Sequence, residues 1–195
     1  MNVAVTTAAE GFPRRAFTVD DVARMIAAGI IGEDEKFELI EGEIVMAAAK
    51  GLAHERIKSA LVVAVVRALP EHLTIGVEAT LRLTDTLMLE PDIAVFPKDV
   101  FKKSSAGFAR LDPGEACLVI EVAALSLAYD KGLKARLYAR HGVGEFWVVD
   151  ANERVAWVHT GPSGEAWSSV VGRGPGDTLT TPALPGFSIR LGEIG

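Results

Sequence analysis

"ACLVIEVAALSLAYDKGLKARLYARHGVGEFWVVD", Ala116 to Asp150, is the stretch on which the fold turns. Its first residues read as a strand buried on both faces, about Tyr129 to His141 as a helix, and "GEFWVVD" as a second strand. A strand, crossover helix and strand of that length form a right-handed βαβ unit, so the two strands run parallel in the interior. One residue does not suit that setting. Glu121 carries a charge in the middle of the apolar run, and an ionised carboxylate there is costly unless it is paired or bound to a cation. Glu121 therefore calls for a metal or a basic neighbour, the plain alternative being a strand-end Glu that reaches solvent.

Upstream, "FTVDDVARMIAAG" reads as a short helix capped by Thr18 and ended at Gly29. "KFELIEGEIVMAA" places Glu41-Gly42 between two alternating apolar runs, which predicts a hairpin. Ile57, Leu61, Val65 and Leu69 recur at helical spacing from His54 until Pro70 stops the pattern. "HLTIGVEATLRLTD" and "LMLEPDIAVF" follow as two strands turning near Asp85, and "PKDVFKKSSAGFARLDPGEA" reads as a surface excursion. Short strands at "RVAWVHT" and "EAWSSVV" precede "LPGFSIRL", which is expected to pack back on the core. The expected fold class is thus α/β: an αβββαβ core with a mixed sheet, an N-terminal hairpin and C-terminal β decoration.

A chain of 195 residues, 49% hydrophobic and 24% charged, suits one well-filled core. We expect a loose leader over residues 1–16 and a single domain over 17–195. The lone Cys117 excludes an intramolecular disulfide, and neither a signal peptide nor an apolar run of spanning length is present, which points to a cytoplasmic protein with no membrane partner. A net charge of -6 argues against nonspecific coating of nucleic acid but leaves room for a local basic site. His72, His141 and His159 show no zinc-ligand spacing with Cys117.

Two acidic residues fall at special points of this order. Asp92 follows Pro91 in the second core strand, and Glu121 lies near the end of the third. If the strands are neighbours, both carboxylates converge at one sheet edge. Hard divalent cations want oxygen ligands, and these two carboxylates with the Val122 backbone carbonyl and waters make an incomplete cage of the kind magnesium accepts.

The residues also resemble a known family. "PD" at Pro91-Asp92 followed by "IEVAA" at Ile120 to Ala124 looks like the PD-(D/E)XK nuclease superfamily, whose restriction endonuclease-like αβββαβ core matches the predicted order. More narrowly, "FELIEGEIVM", "AHERI", "PDIAVF", "LVIEV", "YDKGLKARLYARHGVGEFWVVD" and "LPGFSIRL" resemble, in that order, the bacterial putative restriction endonuclease family, a former domain of unknown function. The resemblance implies that Asp92 and Glu121 hold Mg2+, or Mn2+, in an endonuclease acting on DNA. The superfamily lysine two residues after the Glu is here Ala123; in the resembling family it is displaced onto the following helix, which implies Lys134. By the same resemblance Glu41 and His54 are accessory candidates, and a homodimer is expected.

Asp130 matches the family's Tyr-Asp pair, although N-capping of the helix is its simpler role. Trp147, Trp157 and Trp167 are read as packing residues, and Lys131, Arg136 and Arg140 as helix decoration. After Glu121 the chain departs from the family's Ser- and Pro-rich turn with "AALSLAYD". Besides the nuclease reading, two others stand: a catalytically inactive binding or regulatory module of the same fold, and a glycoside hydrolase using Asp92 and Glu121, which gives Lys134 no role.

Overall fold

The computed structural model describes residues 15–32, 34–47, 50–105 and 107–194, so most of the expected leader lies outside the described residues. The chain order is α1 (Val19–Ala27), β1 (Phe37–Ile40), β2 (Glu43–Met46), α2 (Leu52–Ala68), β3 (Leu73–Val77), β4 (Leu81–Thr84), β5 (Leu87–Leu89) and β6 (Ile93–Pro97). After a 3-10 turn come β7 (Ser104–Ser105), β8 (Phe108–Arg110), β9 (Leu118–Ala123), a helical segment from Leu127 to Arg140, then β10 (Glu145–Asp150), β11 (Val155–Ser163) and β12 (Ala166–Arg173).

The strands form two mixed sheets, ordered β2-β1-β5-β4-β8-β7 and β12-β11-β10-β9-β6-β3. β9 and β10 pair in parallel, with Glu121 opposite Val148, as the βαβ reading requires. The expected pair of long upstream strands is corrected: each breaks in two. β3 and β6 pair in the second sheet, while β4 and β5 continue as a hairpin of the first. The break falls at Glu78–Thr80 on one side and Glu90–Asp92 on the other, where Glu78 holds a left-handed φ of 49° and its N–H donates to the Asp92 carbonyl at 3.2 Å. Alternation of apolar residues alone does not register a strand that changes sheets midway. The excursion after β6 is also more than surface, since β8 joins the first sheet beside β4 and Val100 and Leu111 are buried.

Strand alternation sorts the core into layers. Ala94 and Phe96 of β6, Val119 and Ala123 of β9, and Phe146 and Val148 of β10 face Leu81, Leu87 and Leu89 of the first sheet, with Leu137 and Tyr138 of the helical segment. Ile93, Val95, Leu118, Ile120 and Val122 face the other way, against Ile57, Leu61 and Val65 of α2 and against Leu184, Phe187 and Leu191 of the C-terminal tail. The tail does pack back on the core. Thr181 ties it down by donating to Glu145 Oε2 at 2.8 Å, and Glu145 also accepts from Trp147 Nε1 at 2.6 Å. α1 covers the outer face of the first sheet with Val19 and Val22 against Leu39 and Met88. Thr18 caps it in a reciprocal box with Asp21.

The helical segment is not a regular α-helix. One α-turn at Leu127–Tyr129 leads into a π-turn at Asp130–Lys134, where Ala135 N–H bonds back to the Asp130 carbonyl, and α-geometry resumes over Ala135–Arg140. N-capping by Asp130 is therefore corrected, because the residue lies inside the helical run. Its buried carboxylate instead accepts from Ser126 Oγ at 2.5 Å.

The hairpin turn at Glu41-Gly42 forms as expected, with left-handed φ values of 52° and 85°. A Cβ on Gly42 would lie 2.5 Å from Ala16 Cβ and 2.8 Å from Ala16 Cα. Gly42→Ala is expected to lower unfolding free energy by about 2 kcal/mol through strain and overpacking, as measured by urea denaturation.

Candidate active site

Asp92 and Glu121 face the same side of the second sheet, because Asp92 keeps the parity of Ala94 and Phe96 and Glu121 that of Val119 and Ala123. Both are 4% exposed. They line a cavity of about 630 Å³ together with Glu38, Lys50, His54, Glu78, Ser126, Tyr129, Asp130 and Lys134. Lys134 reaches this side from the helix. A straight helix would hold it at the border of the apolar stripe, whereas the π-turn inserts an extra residue and the side chain is 7% exposed.

The Lys134 ammonium donates to Glu121 Oε1 at 2.9 Å and lies 2.9 Å from Glu38 Oε1. Tyr138 Oη donates to the same Glu121 oxygen at 2.8 Å. Glu121 Oε2 has no hydrogen-bond partner among the described residues. Burial pushes the Glu121 carboxyl up to about 8 even though Lys134 opposes the shift, and the nearby Asp92 and Glu38 charges add to it. Burial disfavours the Lys134 ammonium as well, but Glu121, Glu38 and Asp130 outweigh it and hold the lysine charged. One lysine thus faces three buried carboxyl groups, and burial disfavours the charge of two of them, Glu121 and Asp130.

Asp92 is organised differently. Its Oδ1 accepts from Lys50 Nζ at 2.9 Å and sits 2.9 Å from His54 Nε2, while Oδ2 accepts from Val122 N–H at 2.8 Å. Burial would raise this carboxyl, yet the His54 contact, the Val122 N–H and the Lys50 charge hold it down at about 2. His54 stands on the buried stripe of α2, one turn before Lys58. Lys50 and Lys58 both donate to Glu78 Oε1 at 2.6 Å, and these bonds depress the Glu78 carboxyl to about 2.

The structure thus brings together Asp92, Glu121, Lys134 and His54, with Val122 contributing its N–H to Asp92. Glu41 does not join them. It sits exposed in the hairpin turn and pairs with Arg140 at 2.8 Å, so the acidic residue that this hairpin sends into the cavity is Glu38. Glu38 carried the same signal as Glu121, a charge in phase with inward apolar residues, here Ile40. Tyr138, Lys50 and Glu78 gave no such signal, because their partners come from other elements. Trp147 packs in the core as expected, Trp167 donates to the Ala135 carbonyl at 2.9 Å, and Lys131 lies 3.5 Å over the Trp157 ring.

The donor set suits a hard divalent cation. Two carboxyl groups share one face, and Glu121 keeps an oxygen without a hydrogen bond among the described residues. Among the described residues no three His, Cys, Asp or Glu side chains form a ready-made cage, so water or substrate oxygens would have to complete the shell.

A mixed α/β frame with Glu121 on β9, Asp92 directly ahead of the neighbouring β6 and a lysine from the crossover helix matches the restriction endonuclease-like class expected from the sequence. The family model described as "Putative restriction endonuclease", Uma2, matches residues 19–192, and the chain belongs to that family. Among solved structures, a putative nuclease belonging to DUF820 from Anabaena variabilis aligns with a TM-score of 0.70 at 19% identity, covering 91% of this chain and 97% of that one. It shows the same fold. No curated protein matches. Among the described residues no helix is long and apolar enough to cross a membrane.

The depressed Glu78 carboxyl has a consequence for acid stability. Its folded value of about 2 lies below the ordinary 4.5, so its stabilising effect is complete above that value and fades as pH falls toward 2. Glu78→Gln is expected to cost about 1–2 kcal/mol at pH 7 after allowance for solvent screening, and to flatten the loss of stability on acidification, as read by denaturant titrations across that range.

Proposed function

We propose that the protein is a divalent-metal-dependent endonuclease that hydrolyses phosphodiester bonds of DNA. The observation that carries this reading is the placement of Asp92, directly ahead of β6, beside Glu121 on the neighbouring β9, with the Lys134 ammonium 2.9 Å from Glu121 in the same cavity. Asp92, Glu121 and the Val122 carbonyl would hold Mg2+ or Mn2+. That ion would act as a Lewis acid on the phosphate and lower the pKa of a bound water.

The residues of the chain do the rest. Water adds to phosphorus as the bond to the leaving ribose oxygen breaks; the water gives up a proton to solvent, and the leaving oxygen takes one from solvent. Lys134 uses two of its three protons on Glu121 and Glu38, and the third is available to a nonbridging phosphate oxygen or to the attacking water. His54 and Val122 N–H fix the Asp92 carboxylate from two sides. Cutting both strands of a duplex calls for two such sites, for which a homodimer of this chain is the simplest arrangement. The inactive-module reading differs in one measurable respect, the absence of cleavage.

A supercoiled-plasmid nicking assay tests the proposal. Wild-type protein should nick with Mg2+ or Mn2+ and stop in chelator, and Asp92→Ala and Glu121→Gln should not nick at all. Nicking by wild type and Asp92→Ala at one rate would overturn the assignment, and no nicking with either metal would leave the binding module. Lys134→Ala should keep divalent binding in calorimetry and lose about a hundredfold in rate. In metal-free protein it should also lose about 3 kcal/mol, since two buried carboxylates are left without their cation. Adding Ala123→Lys to that variant should restore part of the rate, because Ala123 shares the strand face of Glu121.

A further inference from the structure

We propose that Glu38 is a positioning residue that keeps the Lys134 ammonium in the site when a cation engages Glu121; this deepens the nuclease reading above and rests on it. A lysine two residues along the strand from Glu121 would share the rigidity of the sheet. Here that position is Ala123, and the ammonium arrives on a long side chain from a helix, with four rotatable bonds to be held. Its two carboxylate partners are not equivalent. Glu121 Oε1 is shared with Tyr138 Oη, and Glu121 is the group expected to turn toward a cation. Glu38 belongs to the other sheet. Its Oε1 accepts from Glu90 N–H at 3.0 Å, Oε2 lies 3.4 Å from Tyr129 Oη, and the pairing of Leu39 with Met88 fixes β1 against β5 just beside it.

Among the described residues Lys134 is the one cation bonded to Glu38, whereas Asp92 has the Lys50 ammonium and a contact with His54 Nε2. Two cations competing for Glu121 weaken each other's attraction to it. Glu38, 6% exposed and tied to backbone, is then the anchor that remains. The same contact joins the first sheet to the crossover helix across the cavity.

Glu38→Gln keeps the shape and the acceptor for Glu90 N–H but removes the charge. Two readouts separate positioning from general support. In cleavage, kcat should fall about ten- to a hundredfold with KM and Mn2+ affinity little changed, the size expected for a misplaced catalytic group. In amine acylation followed by mass spectrometry, Lys134 of the variant should become reactive only when saturating Mn2+ is present, while wild-type Lys134 stays protected with and without the ion. A variant that cuts at the wild-type rate, or whose Lys134 is equally protected in both conditions, overturns the proposal. Wild-type protein that binds Mn2+ without cutting defeats the nuclease reading alone, and the labelling comparison then decides the role of Glu38. Should Glu38→Gln fail to fold, Glu38→Asp, which withdraws the charge by one methylene, is read by the same two measurements.

Discussion

The structure is organised around a carboxylate that should not be stable where it is. Glu121 sits at 4% exposure in the middle of a parallel pair of strands, and burial disfavours its charge. Lys134 answers it from the crossover helix, and Glu38 answers the lysine from the other sheet. Breaking a buried pair on one side leaves an uncompensated charge, so the three residues hold three elements in one relative position. The π-turn at Asp130–Lys134 is the local distortion that lets the helix supply this lysine while Leu137 and Tyr138 stay in the core.

Around that centre the cavity divides into two electrostatic halves. On one, Asp92 is charged and fully held by Lys50, His54 and the Val122 N–H. On the other, Glu121 is reluctant to ionise and keeps one oxygen unbonded among the described residues. Two carboxylates in such unequal environments a few side chains apart are what a site needs if one is to be a permanent anion and the other is to gain its charge from a bound cation. The break of two strands between sheets serves the same end. It leaves Glu78 and Asp92 at the corner where the chain passes from one sheet to the other, and both line the cavity there.

Much of the frame was legible in the chain. The βαβ unit follows from apolar runs separated by a helix-length segment, the hairpin from Glu41-Gly42 between alternating runs, and α1 from Thr18 and its acidic first turn. Glu121 and Asp92 stood out because each is a charge in an apolar strand. The split strands were hidden, since alternation does not record which sheet a residue pairs with. Glu41 is conspicuous beside the turn glycine that the family resemblance points to, whereas Glu38, three positions earlier, becomes conspicuous only once strand phase is known.

By itself, then, the sequence determined local preference and chemical need: which segments are strands or helices, and which charges lack a neighbour that could satisfy them. These are short-range properties, carried by period, capping and residue type. The tertiary structure alone decided who answers that need. Lys134 and Glu121 are 13 residues apart, Tyr138 and Glu121 are 17 apart, and His54 and Asp92 are 38 apart. Glu38 meets a lysine almost a hundred positions away, in a pairing that depends on two sheets and on a helix phase shifted by one residue.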